Sequence, residues 1–288
     1  MSASLPPAVL AGVPPPAAGP SAFAAPLHAP TLESALPGVL VEAVASTGST
    51  NVDLLERARA AAPARPILRA ALVQTAGRGR FGRKWLTAPG SALLFSLALP
   101  LERSRARPAA VTLVCGVAVA EVLRDAGVPV QLKWPNDVLL AGRKLAGILT
   151  ELAVDARGAR TLVVGVGVNL WFDDATVAAI GRPVATLDEC LPREHLAQSR
   201  EAWIARLARA TLAAVPAFVA DGFAPFQARF NRLFAYMGQP VDLIEHGAMV
   251  AHGAAQGVDA DGHLILITAA GERAYGVGEL SLRPRAAQ

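Results

Sequence analysis

Short apolar runs alternate with helical patterns along most of the chain. Runs that are bounded by glycine, proline or charged residues predict β-strands. They cover residues 39–47, 67–74, 91–99, 130–134 with 137–140, 144–152 and 160–170. Helical spacing covers residues 49–60, opened by three common N-cap residues, and continues from Pro108 to Ala126, where Gly127 ends it. The pattern predicts an α/β core.

The pattern changes twice in the second half of the chain. From Glu194 to Tyr236 it is helical, and we expect Pro216 and Pro225 to break the helix. From Met237 onward, short strands are separated by glycine turns, which is typical of a small β-barrel. The sequence therefore predicts a core domain over residues 38–236 and a barrel over residues 237–288.

Residues 1–37 are rich in proline, alanine and serine and have no periodicity, so we expect a mostly disordered leader. The start of the chain lacks the basic region of a signal peptide, and no long apolar stretch is free of charged residues and proline. Cys115 and Cys190 form neither a C-x-x-C pair nor a disulfide framework. These features predict a soluble cytoplasmic protein with no membrane partner.

The choice of cation is the most informative feature of the composition. Of 288 residues, 53% are apolar and 17% charged, and the net charge of +4 does not indicate a protein that coats polyanions. The chain has 24 arginines but only three lysines, Lys84, Lys133 and Lys144. All three lysines, and three of the four asparagines, fall in the short motifs described next. Lysine is a compact point charge and arginine a planar fork, so these positions are predicted to need an amine.

The segment "QTAGRGRFGRKW" (74–85) combines cations with a flexible backbone, in a region from Arg57 to Leu101 that holds eight cations and no acid. Its glycines expose backbone N–H groups, and its arginines can form bidentate hydrogen bonds to phosphate or carboxylate. These residues are Gly77, Gly79, Gly82, Arg78, Arg80 and Arg83. We expect a loop that is mobile when empty and ordered by a phosphate-bearing ligand, with Trp85 offering a flat ring for a base or a lid contact. The segment is neither a P-loop nor a dinucleotide fingerprint.

Three further motifs interrupt the predicted core strands with polar residues or glycine. "KWPND" (133–137) presents Lys133, Asn136 and Asp137 at a strand end, and a hairpin to "RKLAGILTE" (143–151) would bring Lys144 close to them. In the same strands, Gly147 and the two glycines of "GVGVN" (165–169) remove side chains where a ligand could pack, and Asn169 ends the last strand. Because each interruption weakens a sheet, together they indicate a binding site.

The sequence offers no nucleophile with its base and no cluster of cysteine and histidine with metal-ligand spacing. All five histidines lie outside the central motifs. We therefore expect electrostatic chemistry, in which cations stabilise a carboxylate and a nucleotide phosphate while they react.

Taken together, the motifs resemble those of the biotin–protein ligases, specifically the biotin–[acetyl-CoA-carboxylase] ligases. The motifs that carry this resemblance are "GSTN", "QTAGRGRFGRKW", "KWPNDVLLAGRKLAGIL", "VGVGVNL" and the C-terminal "MGQPVDLI", "GVDADGHLIL" and "GVGELSLRP". The resemblance covers roughly residues 39–284. It implies an α+β fold, with a mixed-sheet catalytic domain of the biotin/lipoate ligase type and a small C-terminal SH3-like barrel. It also implies formation of biotinyl-5′-AMP from biotin and ATP with Mg²⁺, followed by transfer to a lysine of a biotin carboxyl carrier protein.

The same resemblance implies roles for individual residues. Those implied to bind biotin are Ser49, Thr50, Gln74, Gly77, Arg78, Lys144 and Gly147. Those implied to bind the nucleotide are Arg80, Arg83, Trp85, Asn136, Asp137 and Asn169. Catalysis falls to Lys144, which would bridge the biotin carboxylate and the α-phosphate, and to Arg78. The metal ligands are left open.

Two alternatives and one departure accompany the resemblance. A nucleic-acid-binding module could use the arginine–glycine segment on phosphates, and lipoate–protein ligases resemble this family in fold. The family's regulatory members carry a DNA-binding winged helix before the catalytic core, whereas the segment before the first strand here has no helix-turn-helix pattern. We therefore expect a ligase that is not a repressor, has no nucleic-acid partner, and is a monomer or a weak homodimer.

Overall fold

A computed structural model describes residues 25–101, 110–276 and 280–285 of the chain. The larger sheet has seven strands in the order β1-β2-β3-β7-β6-β5-β4. Its strands are β1 (Leu40–Thr47), β2 (Ile67–Gln74), β3 (Ala92–Leu101), β4 (Gln131–Lys133), β5 (Asp137–Leu140), β6 (Arg143–Val154) and β7 (Arg160–Asn169). Strands β1 and β2 are parallel and all other neighbours antiparallel, so the predicted mixed sheet is confirmed.

Seven α-helices are found in the described residues. They are α1 (Ala29–Ala35), α2 (Thr50–Ala60), α3 (Val111–Asp125), α4 (Asp174–Ile180), α5 (Arg193–Gln198), α6 (Arg200–Asp221) and α7 (Ala224–Leu233). Neighbouring residues of one strand point to opposite faces of the sheet. On β3, Ala98 therefore packs in a cluster with α2, whereas Leu97 packs in the main core with α3 and α6. The sheet is thus covered by helices on both faces.

The second sheet forms a separate C-terminal domain. Its strands are β8 (Pro240–Glu245), β9 (Ala248–Val258), β10 (Leu264–Thr268), β11 (Gly271–Tyr275) and β12 (Leu280–Pro284). They are all antiparallel, in the order β11-β10-β9-β8-β12, consistent with the expected SH3-like barrel. Asn231 of α7 holds this domain to the core, because its amide both donates to Val258 O (3.1 Å) and accepts from Val258 N (2.8 Å).

Part of the predicted disordered leader is folded, so that expectation was wrong for these residues. Helix α1 packs against α6 and β1, with Leu32 fully buried and Leu36 3% exposed. From α6, Arg200 donates to Ala25 O (2.6 Å) and Arg209 donates to Ala35 O (3.0 Å). Apolar spacing was too sparse to predict so short a helix, and its stability depends on burial against α6. Residues 1–24 lie outside the described part of the chain.

The predicted break at Pro216 was also wrong, because α6 continues through this residue, whereas Pro225 opens α7 as expected. Pro216 lies on the exposed side of α6, where water can solvate the carbonyl that lacks a donor.

Helix α6 is long and apolar enough to cross a membrane, but half of its most apolar stretch is buried inside the protein. Trp203, Ile204 and Leu207 form part of its buried side. Residues 102–109, with the predicted helix start at Pro108, lie outside the described residues.

Candidate functional site

One cleft collects most of the residues singled out in the sequence. It lies between the N-terminus of α2, the segment 78–85, strands β3 to β7 and the edge of the C-terminal domain. The predicted site residues that line it are Ser49, Thr50, Gln74, Arg78, Arg80, Arg83, Trp85, Asn136, Asp137, Lys144 and Gly147. Gly77 is buried behind the cleft wall, and Asn169 lines a neighbouring cavity instead.

The charge of the cleft is strongly positive. Its described lining holds eight cations: Arg78, Arg80, Arg83, Lys84, Lys133, Lys144, Arg182 and Arg283. The only carboxylate in that lining is Asp137. All three lysines of the chain are in this set, which confirms that the rare amines gather at one place. Such a lining favours an anion with several negative charges.

The arginine–glycine segment forms a tight β-hairpin over the cleft. Gly79 N donates to Arg83 O (2.7 Å), Trp85 N donates to Gly77 O (2.9 Å), and Arg78 pairs with Lys84. At the tip, Phe81 (φ 60°) and Gly82 (φ 70°) both have positive φ, and Arg83 N donates to Arg80 O (3.3 Å), as in a turn of type I′. Glycine adopts this conformation readily, but phenylalanine in the left-handed region costs about 1–2 kcal/mol. Mobility of the segment without ligand stays a prediction.

Trp85 explains two of the strand glycines. Gly147 of β6 and Gly167 of β7 are register partners, and the indole lies on both. A Cβ at Gly167 would come within 2.7 Å of the Trp85 ring, and one at Gly147 within 3.0 Å. The ring that packs on these glycines is therefore the protein's own tryptophan, which brings the hairpin down onto the sheet.

Lys144 lies at the centre of the cleft. The β5–β6 hairpin, which was predicted from the sequence, brings its Nζ to 2.5 Å from Asp137 Oδ1 and to 5.3 Å from the centre of the Trp85 ring. The Lys144 and Asp137 side chains are less than one fifth exposed. A buried amine with one carboxylate partner can exchange that partner for the anion of a ligand.

Lys133 adds a second buried amine to this group. Burial lowers the pKa of Lys133 below its usual range; Asp137 opposes the shift, and the charges of Lys144, Arg283 and Arg83 increase it. The peptide bond between Trp134 and Pro135, directly after Lys133, is cis. The surroundings of Lys133 therefore concentrate positive charge that Asp137 compensates only in part.

Asn136 connects this region to the hairpin. Its amide donates to Ile148 O (3.1 Å), and its Oδ1 accepts from Arg80 Nη1 (3.3 Å). Asn136 Oδ1 and the Asp137 carboxylate are oxygen ligands of the kind that Mg²⁺ prefers. These two residues therefore fit a divalent cation beside bound phosphates.

The other end of the cleft is polar but uncharged. Thr50 donates from both N and Oγ1 to Gln74 Oε1, at 2.8 and 3.1 Å, and its Oγ1 lies 2.8 Å from Ser96 Oγ. On β7, Gly165 leaves room for Asn51, whose amide donates to Glu151. Gly165 and Gly167 are two residues apart on one strand, so about 7 Å separates this polar end from the Trp85 ring. The cleft thus offers hydrogen-bonding groups at one end and cations at the other. This arrangement suits a ligand with a small neutral head and a charged tail.

Several lining residues were missed by sequence reasoning. Ser96 could have been found, because it is a lone polar residue within an apolar strand and is fully buried. Arg182 carries no local signal, and the motif "GVGELSLRP" that contains Ser281 and Arg283 does not show that they approach the core. These three residues reach the cleft only through the packing of the α4 region and of the C-terminal domain.

A second cavity opens on the far side of Trp85. Its walls combine apolar side chains with cations: Trp85, Leu86, Ile180, Val184, Arg83, Lys84, Lys144 and Arg182, with Asn169. Asn169 is 3% exposed, and its amide donates to Lys144 O (3.2 Å) and Ala185 O (2.9 Å). It therefore fixes the segment around residue 185 against β6. Direct contact of Asn169 with a nucleotide stays a prediction.

Two segments of the chain match families of known proteins. Residues 43–169 match the biotin/lipoate A/B protein ligase family, and residues 236–283 match the biotin protein ligase C-terminal domain. The matched segments coincide with the seven-stranded sheet and with the second sheet.

Individual relatives agree with these matches. The chain is 37% identical over 214 residues to the bifunctional ligase/repressor BirA of Escherichia coli, which covers 73% of this chain and 64% of that protein. It is 33% identical over 242 residues to the biotin–[acetyl-CoA-carboxylase] ligase of Paracoccus denitrificans, covering 82% of this chain and 98% of that protein. Its structure is similar to that of the biotin protein ligase from Aquifex aeolicus in complex with biotin and ATP, with a TM-score of 0.68 and 25% identity, covering 87% of this chain and 100% of that chain.

Proposed function

The chain belongs to the biotin–protein ligase family, and we propose that it activates biotin as biotinyl-5′-AMP and transfers the biotinyl group to a lysine of a biotin carboxyl carrier protein. The observation that carries this proposal is the cleft itself. A neutral polar pocket and a strongly cationic region meet at Lys144, beneath the hairpin whose Trp85 packs on the strand glycines. A neutral bicyclic head with a carboxylate tail, joined to a nucleotide, has matching chemistry.

In the first step, a biotin carboxylate oxygen attacks the α-phosphorus of ATP and pyrophosphate leaves. Thr50, Gln74 and Ser96 are suited to hold the polar ring of biotin, which aims the carboxylate toward Lys144. Lys144 then exchanges Asp137 for the reacting oxygens and stabilises the negative charge that develops between them. Arg80, Arg83 and Lys133 face the remaining phosphates.

A divalent cation would be held by Asp137 and Asn136, and when bound it would neutralise phosphate charge. The second cavity, with its apolar walls beside Trp85, suits the adenine base. Mg²⁺ and the adenine position are parts of this proposal.

In the second step, the uncharged ε-amine of the carrier lysine attacks the carbonyl carbon of the mixed anhydride, and AMP leaves. Until the carrier docks, the hairpin over the cleft limits the access of water, so closure also protects the intermediate. A cytoplasmic location, the absence of nucleic-acid and membrane partners and the monomer or weak dimer stay predictions.

The test is a mass measurement on a carrier domain after incubation with the protein, ATP and Mg²⁺. We expect the mass gain of one biotinyl group with biotin and none with lipoate. The Lys144→Ala variant should lose biotin-dependent ATP–pyrophosphate exchange by about 100-fold or more, because it removes the charge at the reacting oxygens, while keeping the same melting temperature. A carrier modified by lipoate would favour the lipoate ligase alternative, and salt-sensitive RNA or DNA binding without turnover would favour the nucleic-acid module.

A further inference from the structure

Phe81, at the tip of the hairpin, occupies a position that local sequence preferences do not explain. Type I′ turns favour asparagine, aspartate or glycine at this position, whereas here a large aromatic residue has a φ of 60°. The Phe81 side chain is also 44% exposed, so burial offsets little of that strain. A strained residue in a binding loop points to a role for its side chain.

Two arginine side chains of the hairpin lie against the Phe81 ring. The guanidinium carbon of Arg80 lies 4.5 Å from the ring centre, and that of Arg83 lies 5.5 Å from it. Both distances are within the range of a cation–π interaction. Without this ring, the repulsion between the two guanidinium groups would favour conformations in which they are farther apart.

Both of these arginines also have contacts inside the site. Arg80 Nη1 donates to Asn136 Oδ1 at 3.3 Å, and Arg83 lines the same cleft as Lys133. The ring therefore holds the arginines on the side of the hairpin that faces Asn136 and Lys133.

The Phe81 side chain also faces the C-terminal domain across a small cavity. Phe81 and Arg83 form one wall of this cavity, and Ile244, Gly247, Ser281 and Arg283 form the other. A side chain at residue 81 thus lies where the hairpin meets the edge of the second domain, next to another cation of the cleft.

We propose that Phe81 is a positioning residue, whose ring holds Arg80 and Arg83 ready for the nucleotide phosphates. This inference rests on the proposed function in its choice of nucleotide, and it extends that function by naming a residue that positions the phosphate-binding arginines.

The test compares Phe81→Leu, which keeps apolar volume but removes the π face, with Phe81→Tyr, which keeps the ring. ATP dissociation constants are measured by titration calorimetry, and KM values for ATP and biotin are measured by pyrophosphate exchange. We expect Phe81→Leu to weaken ATP binding about three- to tenfold, as expected for the loss of two partly exposed cation–π contacts. The KM for biotin and the melting temperature should not change, and Phe81→Tyr should restore ATP binding to within about twofold of the parent protein.

Val154→Ala serves as the control, because Val154 is an exposed apolar residue (51%) at the far end of β6 and should leave all four quantities unchanged. Unchanged ATP binding in Phe81→Leu, equal losses in the Leu and Tyr variants, or equal losses for ATP and biotin would each overturn the proposal. Because ATP binding is measured without turnover, a parent protein that binds ATP but fails to exchange pyrophosphate would contradict the proposed function and still test Phe81.

Discussion

The four asparagines of the chain all act as clamps inside the protein. Each amide group donates a hydrogen bond to another segment: Asn51 to Glu151, Asn136 to Ile148 O, Asn169 to Lys144 O and Ala185 O, and Asn231 to Val258 O. The sequence placed three of them in motifs and predicted two, Asn136 and Asn169, as site residues. The structure adds the reason for that position, since each amide joins two segments that together form a wall of the cleft or hold the second domain.

The three lysines behave differently, because all of them line the cleft. Lys133 shows what this arrangement costs in stability. Burial lowers its pKa, so the folded protein binds this proton more weakly than the unfolded chain does. The charged amine therefore destabilises the fold at any pH below the lowered pKa, and the penalty disappears as the pH rises from there to the usual value of 10.5.

We predict that Lys133→Met raises the free energy of unfolding at pH 7, and that this gain shrinks as the pH approaches 10.5. Urea unfolding of both proteins at a series of pH values measures the difference. The same variant should bind ATP about tenfold more weakly or worse, because a charged phosphate partner is lost. A gain in stability that does not depend on pH would mean that packing, and not the buried charge, is responsible.

At the scale of elements, the hairpin over residues 77–85 and the β6–β7 pair form one unit. The hairpin is held by its own backbone hydrogen bonds, and it contacts the sheet through Trp85 on two glycines. The sequence suggested that those glycines make room for a ligand. The structure shows that Gly147 and Gly167 make room for the Trp85 ring of the hairpin. The space left for a ligand lies between this hairpin and the polar end of the cleft.

We predict that Gly167→Ala lifts the hairpin, because the added methyl group would lie 2.7 Å from the Trp85 ring. The expected results are a fall in carrier biotinylation of about tenfold and an increase in labelling of bystander lysines, since the mixed anhydride escapes. Arg78→Gly, which loosens the hairpin opposite Lys84, should have the same direction of effect. Mass spectrometry of a bystander protein measures the escape.

Gly116→Ala is the matched control for this prediction. A Cβ at Gly116, inside α3, would meet only Leu132 at 3.6 Å, so the variant should fold with equal or higher stability, by up to about 1 kcal/mol. If the Gly167→Ala variant labels bystander lysines no more than the Gly116→Ala variant does, the hairpin is not what protects the intermediate.

At the scale of the whole molecule, two segments distant in sequence complete the core. The C-terminal domain contacts the turn between β4 and β5 through Trp134, which is fully buried and whose indole N–H donates to Gly262 O (3.3 Å). At the other end of the chain, α1 closes the core beside α6 through Leu32 and Leu36. The main apolar cluster therefore reaches from residue 32 to residue 282, and a second, smaller cluster lies between α2 and the sheet.

We predict that Leu32→Ala lowers the free energy of unfolding by about 2–3 kcal/mol, because it leaves a cavity at a fully buried position. Urea unfolding measures the loss. Glu33→Ala, at the exposed neighbouring position, should change stability by less than about 0.5 kcal/mol. Equal stability of the two variants would show that α1 does not support the core.

The sequence by itself determined what depends on neighbours along the chain. Apolar runs predicted the strands to within about two residues at most ends, and eleven of the thirteen site residues predicted from the motifs line the cleft. The tertiary structure decided which residues meet: the strand order that sets β7 between β3 and β6, the approach of Arg283 and Ser281, the folding of α1 and the passage of α6 through Pro216. Local periodicity reflects only the next turn or pleat, whereas those contacts come from burial between segments up to some 230 residues apart, whose free energy no short pattern contains.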